Sequence, residues 1–410
     1  MRILILGAGY GGVRVALDLA RRLGTEPDVT VQLVDKHDYH QFRTELHRAA
    51  AGTSSVEEAR LPLKQIFSGL PLVETIRAEV VEIRPDAATV AVADGRLLSY
   101  DRLVVALGSD PEYFSIPGLE AHALTLRSLN SARVIREHIE RLFAPRAAGS
   151  DGRARPGRYT IVVGGGGLTG VEFASELADR LPRLAKRQGL APGRVRLILI
   201  EAQPEILSGF DHRLIIAARR HLSRKGIALE LGVKITAVHA DRVELEDGRV
   251  IPTATFIWTG GVRGNHIVEA SLPSKARGRA AVDAFLRVVG HPTIYAIGDC
   301  ALALHPRSGQ PVAPTAQNAI HQGRLVARNL AAEYHGRPLR GYDAKSFGVV
   351  ASLGRGYGVA EVGKISLLGV PAAVLKDLVA LHYIYSLGGA RLVWRRWKNL
   401  HDRARPVVSS

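Results

Sequence analysis

The sequence predicts an α/β chain with two Rossmann-like dinucleotide-binding domains and a C-terminal amphipathic helical segment. Three observations carry this. The turn Gly7-Ala8-Gly9-Tyr10-Gly11-Gly12 follows an apolar run, and so does Gly164-Gly165-Gly166-Gly167-Leu168-Thr169-Gly170. Each turn leads into a helical stretch and then an apolar run ending in an acid, Asp35 after Val31–Val34 and Glu201 after Leu197–Ile200. A third buried strand, Ile294–Ile297, ends in Gly298-Asp299-Cys300.

The glycines have distinct tasks. Gly7 and Gly165 permit the tight turn out of the strand, and Gly9 and Gly167 let a pyrophosphate approach bare backbone. Gly12 and Gly170 let the helix pack closely on the sheet, and its N-terminal N–H groups then face the phosphates. Asp35 and Glu201 are placed to accept from a ribose 2′-hydroxyl. A carboxylate there repels a 2′-phosphate, so Glu201 favours NADH over NADPH. Two such sites on one chain predict electron passage between two bound cofactors.

Taken in order, residues 2–35 read as a βαβ unit. Tyr39–Gly52 reads as a basic and aromatic loop. Val73–Asp101 is strand-rich, with a turn at Asp94-Gly95. Asp101–Gly108 is a buried strand ending in small residues. Ala144–Arg158, rich in Gly, Pro, Arg and Ala, reads as a flexible connector. The second unit opens at Tyr159, has a hairpin signal at Asp247-Gly248, and includes the strand Thr255–Trp258 before Gly260-Gly261. A helix is expected from about Thr315. The resulting division is 1–112 with 283–335, then 113–282, then 336–410.

In the tail, Val374, Leu378, Leu381 and Tyr385 recur at helical spacing, as do Val393, Trp397 and Leu400 beyond a break at Gly388-Gly389. Arg391, Arg395, Arg396, Lys398, Arg403 and Arg405 crowd the second part, and Tyr383, Tyr385, Trp394 and Trp397 are interface-type aromatics. The pattern predicts a helix pair lying on a membrane; a hairpin packed on its own domain or at a dimer interface fits it too. The uncharged stretch Leu378–Ala390 is too short to span, and no spanning helix is expected.

The chain has 410 residues, with 55 basic and 39 acidic side chains, a net charge of +16. This suits an anionic partner or a solubilising surface. No nucleic-acid signature appears, and no nucleic acid is expected as a partner. Cys300 is the only cysteine. It excludes an intrachain disulfide, a redox cysteine pair and a four-cysteine metal site, and it reads as a small buried residue. No metal is expected. The apolar N-terminus leads straight into the glycine turn, so it reads as a strand rather than a signal peptide, which predicts a cytoplasmic protein.

Several segments together resemble the type II NADH dehydrogenases, single-chain flavoproteins that reduce quinone. They are Gly7–Gly12, Ala106-Leu107-Gly108-Ser109, Gly167-Leu168-Thr169-Gly170-Val171-Glu172, Trp258-Thr259-Gly260-Gly261-Val262, Ala296–Cys300 and Pro314-Thr315-Ala316-Gln317. The resemblance covers nearly the whole length. It implies non-covalent FAD at the first turn and NADH, the substrate, at the second, with Asp299 on the ribityl chain. It extends the cofactor-contacting set to Lys36, Thr44, Val81, Ala106, Leu107, Gly108, Gly260, Gly261, Ala316 and Gln317, beside Tyr10, Gly11, Leu168 and Thr169 of the turns. Glu172 is implied near the meeting of nicotinamide and flavin, where it could bond the carboxamide or relay a proton.

Two positions depart from the family. Its helix commonly reads Ala-Gln-x-Ala-x-Gln, whereas this chain has His321 at the second glutamine. Phe347 stands where a basic residue is frequent. Gln317 and His321, four apart on a helix, form the expected quinone face.

The implied activity is NADH:quinone oxidoreduction without proton pumping, at the cytoplasmic face of the membrane. An anionic lipid surface is the expected partner of residues 371–410, and a homodimer stays open. Two other readings fit the fold. One is a soluble NADH-dependent reductase of a small acidic electron-transfer protein, and the other a non-catalytic NADH sensor. A sulfide- or disulfide-acting flavoenzyme is excluded by the missing cysteine pair.

Overall fold

The computed structural model describes residues 1–144, 157–344 and 348–404, with side chains through Trp394. Most of the expected connector, Phe347 and the side chains of the last basic cluster lie outside the described residues. A six-stranded sheet runs in the order Arg287–Val288, His291–Ala296, Arg102–Val105, Arg2–Leu6, Thr30–Asp35, Val73–Arg77. All its neighbours are parallel except the first pair. A second sheet is wholly parallel, in the order Leu124–Thr125, Thr255–Trp258, Thr160–Gly164, Arg196–Glu201, Ile227–Leu231.

Strand alternation explains why both sheets are buried on two faces. Ile3 and Ile5 join one core cluster, while Leu4 and Leu6 join the cluster on the opposite face. In the second sheet Ile161 and Val163 face one cluster and Val162 another. The helix Tyr10–Leu23 packs on Ala316–Tyr334, which begins at the expected place and is capped by the Thr315 side chain. The turns at Gly95 and Gly248 both have positive φ, as the hairpin signals require.

Three expectations are corrected. Tyr39–Gly52 is not a loop. Tyr39–Gln41 pairs with Arg60–Pro62, and Leu46–Ala51 is a short helix ended by left-handed Gly52. Its Leu46, Ala49, Ala50 and Ala51 are buried against Leu129–Leu142 and Leu168–Arg187, and this apolar packing outweighs the basic and aromatic character of the preceding residues. Before the tail, Val349–Ser352, Gly358–Val362 and Ile365–Gly369 form an antiparallel sheet that was not anticipated.

The third correction concerns the tail. Val370–Ala404 is the expected pair of helices, joined across a kink at Gly388 and Gly389, where Gly389 takes φ +67°; what changes is the length of its apolar part. Its segment Val370–Trp394 is 25 residues long and holds an 18-residue stretch with a mean hydropathy of 1.2, long and apolar enough to cross a membrane by length and composition. The sequence estimate stopped at Lys376-Asp377, but the helix continues through those charges. Val374, Leu378, Leu381 and Tyr385 are all exposed along one side, whereas Ile384, Leu387 and Leu392 are buried in the core of the first domain.

The glycine turns support a sharp stability prediction. A Cβ on Gly12 would lie 1.9 Å from the Gly7 carbonyl oxygen, and one on Gly170 1.9 Å from that of Gly165. A Cβ on Gly9 would meet nothing within 4 Å. Gly12→Ala and Gly170→Ala should therefore each cost about 3 kcal/mol by overpacking, while Gly9→Ala keeps the folded stability and impairs cofactor binding. Urea denaturation of the cofactor-free chains checks this, and equal loss in all three would contradict it.

Candidate functional site

One continuous cavity of ≈ 4070 Å³ is lined by both glycine turns, the start of the Ala316–Tyr334 helix and the C-terminal helix. Every candidate residue lines it except Gly12 and Gly170, which face back onto their own turns. The two turns are built alike. Gly7 N–H donates to Val34 O at 2.7 Å, and Gly165 N–H to Ile200 O at 2.8 Å. Asp35 accepts from the Ala8 N–H at 2.7 Å, and Glu201 from the Gly166 N–H at 2.5 Å. Each acid is thereby fixed at the cavity edge with further acceptor capacity.

The site fits two dinucleotides. The space beyond Cα is open at Gly9 and Gly167, and neither following helix has a side-chain cap or an acid in its first turn. The free N–H groups and the helix dipole are left for phosphate. At the first turn Tyr10 bonds Thr44 through their hydroxyls at 3.0 Å, and burial pushes the Tyr10 phenol up to about 12. Lys36 lies at the rim, paired with Glu79 at 3.3 Å, and Val81 is half exposed there. Ala106–Gly108 follow the central strand, and Gly260 and Gly261 sit between Trp258 and Phe114.

Asp299 is held from two sides. Its Oδ2 accepts from Ser109 Oγ at 3.0 Å and Arg43 Nη1 at 3.4 Å. Gly298 takes φ +72°, and its N–H donates to Gln322 Oε1 at 2.7 Å. Gln322 is buried and was not expected at the site, because its partner Gly298 is brought to it only by the tertiary fold. Gln317 and His321 share the cavity side of the helix with Ala316, and His321 stacks obliquely on Tyr342 at 5.7 Å.

Glu172 belongs to a buried ionic cluster. Its Oε1 accepts from the Ser352 N–H at 2.9 Å and pairs with Lys376 of the C-terminal helix. Its Oε2 faces His47 Nδ1 at 3.6 Å. Burial pushes the Glu172 carboxyl up, but Lys376 foremost among its partners brings the net below the ordinary value. Burial also drives the His47 imidazolium down to about 3, against the pull of Glu172. His47 is thus neutral, and the charges of the cluster are Glu172 and Lys376. Neither His47 nor Lys376 was singled out in the sequence. A lysine inside an apolar helix was the available signal, since such a charge is buried only with a partner.

A second contact ties the tail to the first turn. Tyr383 Oη lies 2.9 Å from His40 Nε2, whose Nδ1 lies 2.8 Å from the Ala8 carbonyl oxygen. Cys300 is fully buried, and its Sγ donates to Ile297 O at 3.2 Å and Val105 O at 3.5 Å. Burial pushes its thiol up to about 11.

Residues 1–323 match the pyridine nucleotide-disulphide oxidoreductase family. Over 400 residues the chain is 33% identical to the type II NADH:quinone oxidoreductase of Staphylococcus aureus (strain MSSA476), covering 97% of this chain and 98% of that one. The chain belongs to the type II NADH:quinone oxidoreductases. The protein of that name from Staphylococcus saprophyticus is 32% identical over the same shares. Among solved structures, the NDH2 of Plasmodium falciparum in complex with NADH superposes with a TM-score of 0.83 at 16% identity, covering 100% of this chain and 99% of that one. The sulfide:quinone oxidoreductase of Aquifex aeolicus gives 0.76 at 19% identity, covering 94% and 91%. These likenesses establish the shared fold of this family member.

The neutral state of His47 has a measurable consequence. Between pH 6.5 and about 3 the unfolded chain binds a proton that the folded His47 refuses. Stability from this group is complete above pH 6.5 and falls as pH drops, by up to about 1.4 kcal/mol per pH unit. The lowered Glu172 carboxyl acts in the same direction at lower pH. His47→Gln should flatten the slope of unfolding free energy between pH 6.5 and 5 relative to the parent chain. An unchanged slope would show that His47 is protonated in the folded state.

Proposed function

We propose that this chain oxidises NADH and reduces a quinone at a membrane surface without pumping protons. The observation that carries this reading is the single cavity joining two equivalent dinucleotide turns to the Gln317–His321 face and the C-terminal helix. FAD, held at the first turn, supplies two-electron chemistry between the substrates when bound. Gly7–Gly12 would cradle its pyrophosphate, Asp35 its adenosine ribose and Asp299 its ribityl hydroxyls. Gly165–Gly170 and Glu201 would hold NADH in the same manner.

The chain's own contribution at the acceptor end is orientation and protons. Gln317 presents an amide and His321 an imidazole to a quinone carbonyl. Quinone reduction consumes protons, and the buried pair of Glu172 and Lys376 lines the same cavity. The Glu172 oxygens are committed to Ser352, Lys376 and His47, which favours proton relay over a bond to the carboxamide. The exposed face Val374–Tyr385 would lie on the anionic cytoplasmic leaflet. Fixing of Lys376 by Glu172 and the break at Gly389 support a helix that rests on the bilayer rather than crossing it. That apolar face also weighs against a soluble reductase docking an acidic protein.

Stopped-flow spectroscopy tests the assignment by separating bleaching of the flavin by NADH from its reoxidation by a quinone analogue. Gln317→Ala and His321→Ala should slow reoxidation about tenfold each, the worth of one lost hydrogen bond, and leave bleaching unchanged. Reoxidation at the parent rate in both would remove this face as the quinone site. In the same assay NADH should bleach far faster than NADPH, and Glu201→Gln should narrow that gap about tenfold, a 1.4 kcal/mol effect. Equal rates for both donors in the parent chain would refute the role of Glu201.

A further inference from the structure

A second, smaller cavity of ≈ 440 Å³ opens where the helices Tyr10–Leu23, Ala316–Tyr334 and Val370–Ala404 meet. It adjoins the large cavity, with which it shares Arg324, His382, Tyr385 and Ser386, but no residue of the glycine turns lines it. Its walls carry Arg14, Arg21, Arg324 and His382, with Asp18 as the one acid and Tyr385 at the rim. Arg14 is 3% exposed and pairs with Asp18, and its Nη1 donates to Ser386 O at 3.4 Å. Its Nε is buried and has no hydrogen-bond partner. Arg21 reaches the same Asp18 oxygen only at 3.8 Å and is mostly exposed, as is Arg324.

Two guanidinium groups therefore share one carboxylate, and a third, Arg324, lines the same open hollow. Burial foremost lowers the Arg14 pKa, and the like charges of Arg21 and Arg324 lower it further against Asp18. The hollow has an excess of positive charge, and a resident anion would relieve it. Guanidinium forks suit phosphate oxygens in particular. The position narrows the source of that phosphate. Tyr385 belongs both to this rim and to the exposed apolar side of the C-terminal helix, beside Leu378 and Leu381. A phosphate here would sit at the level where an acyl chain could run along that side.

We propose that Arg14, Arg21, Arg324 and His382 form a binding site for the phosphodiester of an anionic phospholipid. The site would place a lipid headgroup between the tail and the nucleotide-turn helix Tyr10–Leu23, so that membrane docking involves residues outside the tail as well. This rests on the reading that the C-terminal helix lies on a membrane. The tail supplies apolar contact, and the hollow supplies recognition of the headgroup.

The test uses the full flavin-loaded chain and vesicles of phosphatidylcholine with and without phosphatidylglycerol. Arg21→Gln combined with Arg324→Gln should weaken binding to the phosphatidylglycerol vesicles about twenty-five-fold, since each arginine near an anionic leaflet is worth about fivefold. Arg21→Gln alone, which lies outside the large cavity, should weaken binding about fivefold and leave bleaching by NADH unchanged. Arg84→Gln with Arg96→Gln, an equal charge change on the remote strands Val80–Arg84 and Leu97–Ser99 and their turns, should cost little.

Equal losses in the two pairs would show diffuse attraction and overturn the site. So would equal affinity for vesicles made anionic with oleate, which lacks phosphate. Release by inorganic phosphate beyond that caused by chloride at the same ionic strength would reassign the hollow to a soluble anion and likewise overturn the proposal. Leu378→Glu with Leu381→Glu tests the underlying reading separately. If that variant stays on the vesicles, the membrane reading fails and the lipid site with it. If it detaches while the Arg21 and Arg324 variant does not, the lipid site alone fails.

Discussion

The contact between Glu172 and Lys376 is the constraint on which the arrangement of the site depends. Each charge is nearly excluded from water, and neither could be buried alone without a penalty of several kcal/mol. The pair joins the helix Leu168–Arg187 of the second nucleotide unit to the C-terminal helix, and His47 brings in the first unit from the third side. Three parts of the chain thus meet at one carboxylate. The pair also sets the rotation of the C-terminal helix. With Lys376 turned inward, Leu378, Leu381 and Tyr385 are turned outward.

The architecture around that contact is a duplication at the level of physics. Both nucleotide turns use a left-handed first glycine, an open second position and a last glycine pressed on the turn's own carbonyl. Both tie the terminal acid of the next strand to a turn N–H. The two copies open toward each other, and the cavity between them is one space. The asymmetry lies in what closes it. The first turn is tied to the tail through His40 and Tyr383, whereas on the second side the edge-on rings of Trp258 and Phe114 line the cavity beside Gly260 and Gly261.

This pattern explains which features were legible in the sequence. The glycine turns, Asp35, Glu201 and the Gly298-Asp299 turn follow from local backbone demands and strand ends, and all were read correctly as positions in the fold. The break at Gly388-Gly389 was legible for the same reason. The partners of Glu172 were not, because Lys376 is 204 residues away and His47 sits in a segment read as a loop. Its helical state depends on burial of Ala49–Ala51 by two other helices, which no local signal reports. The antiparallel sheet Val349–Gly369 went unread, although Gly363-Lys364 is a turn pair between apolar runs. The apolar length of the tail was underestimated because only the uncharged stretch Leu378–Ala390 was measured, whereas the helix runs on through Lys376 and Asp377.

Cys300 lies at the ends of two adjacent parallel strands, with its thiol turned inward onto the carbonyl oxygens of Val105 and Ile297. The chain otherwise has no cysteine, and Met1 is its only methionine. Peroxide generated by an autoxidising flavin would therefore find almost no sulfur to attack, since such damage follows thiolate character and exposure. The same seclusion makes the thiol a native reporter. An alkylating reagent can reach it only when the first sheet opens, so the labelling rate counts opening events around that sheet without any engineered probe.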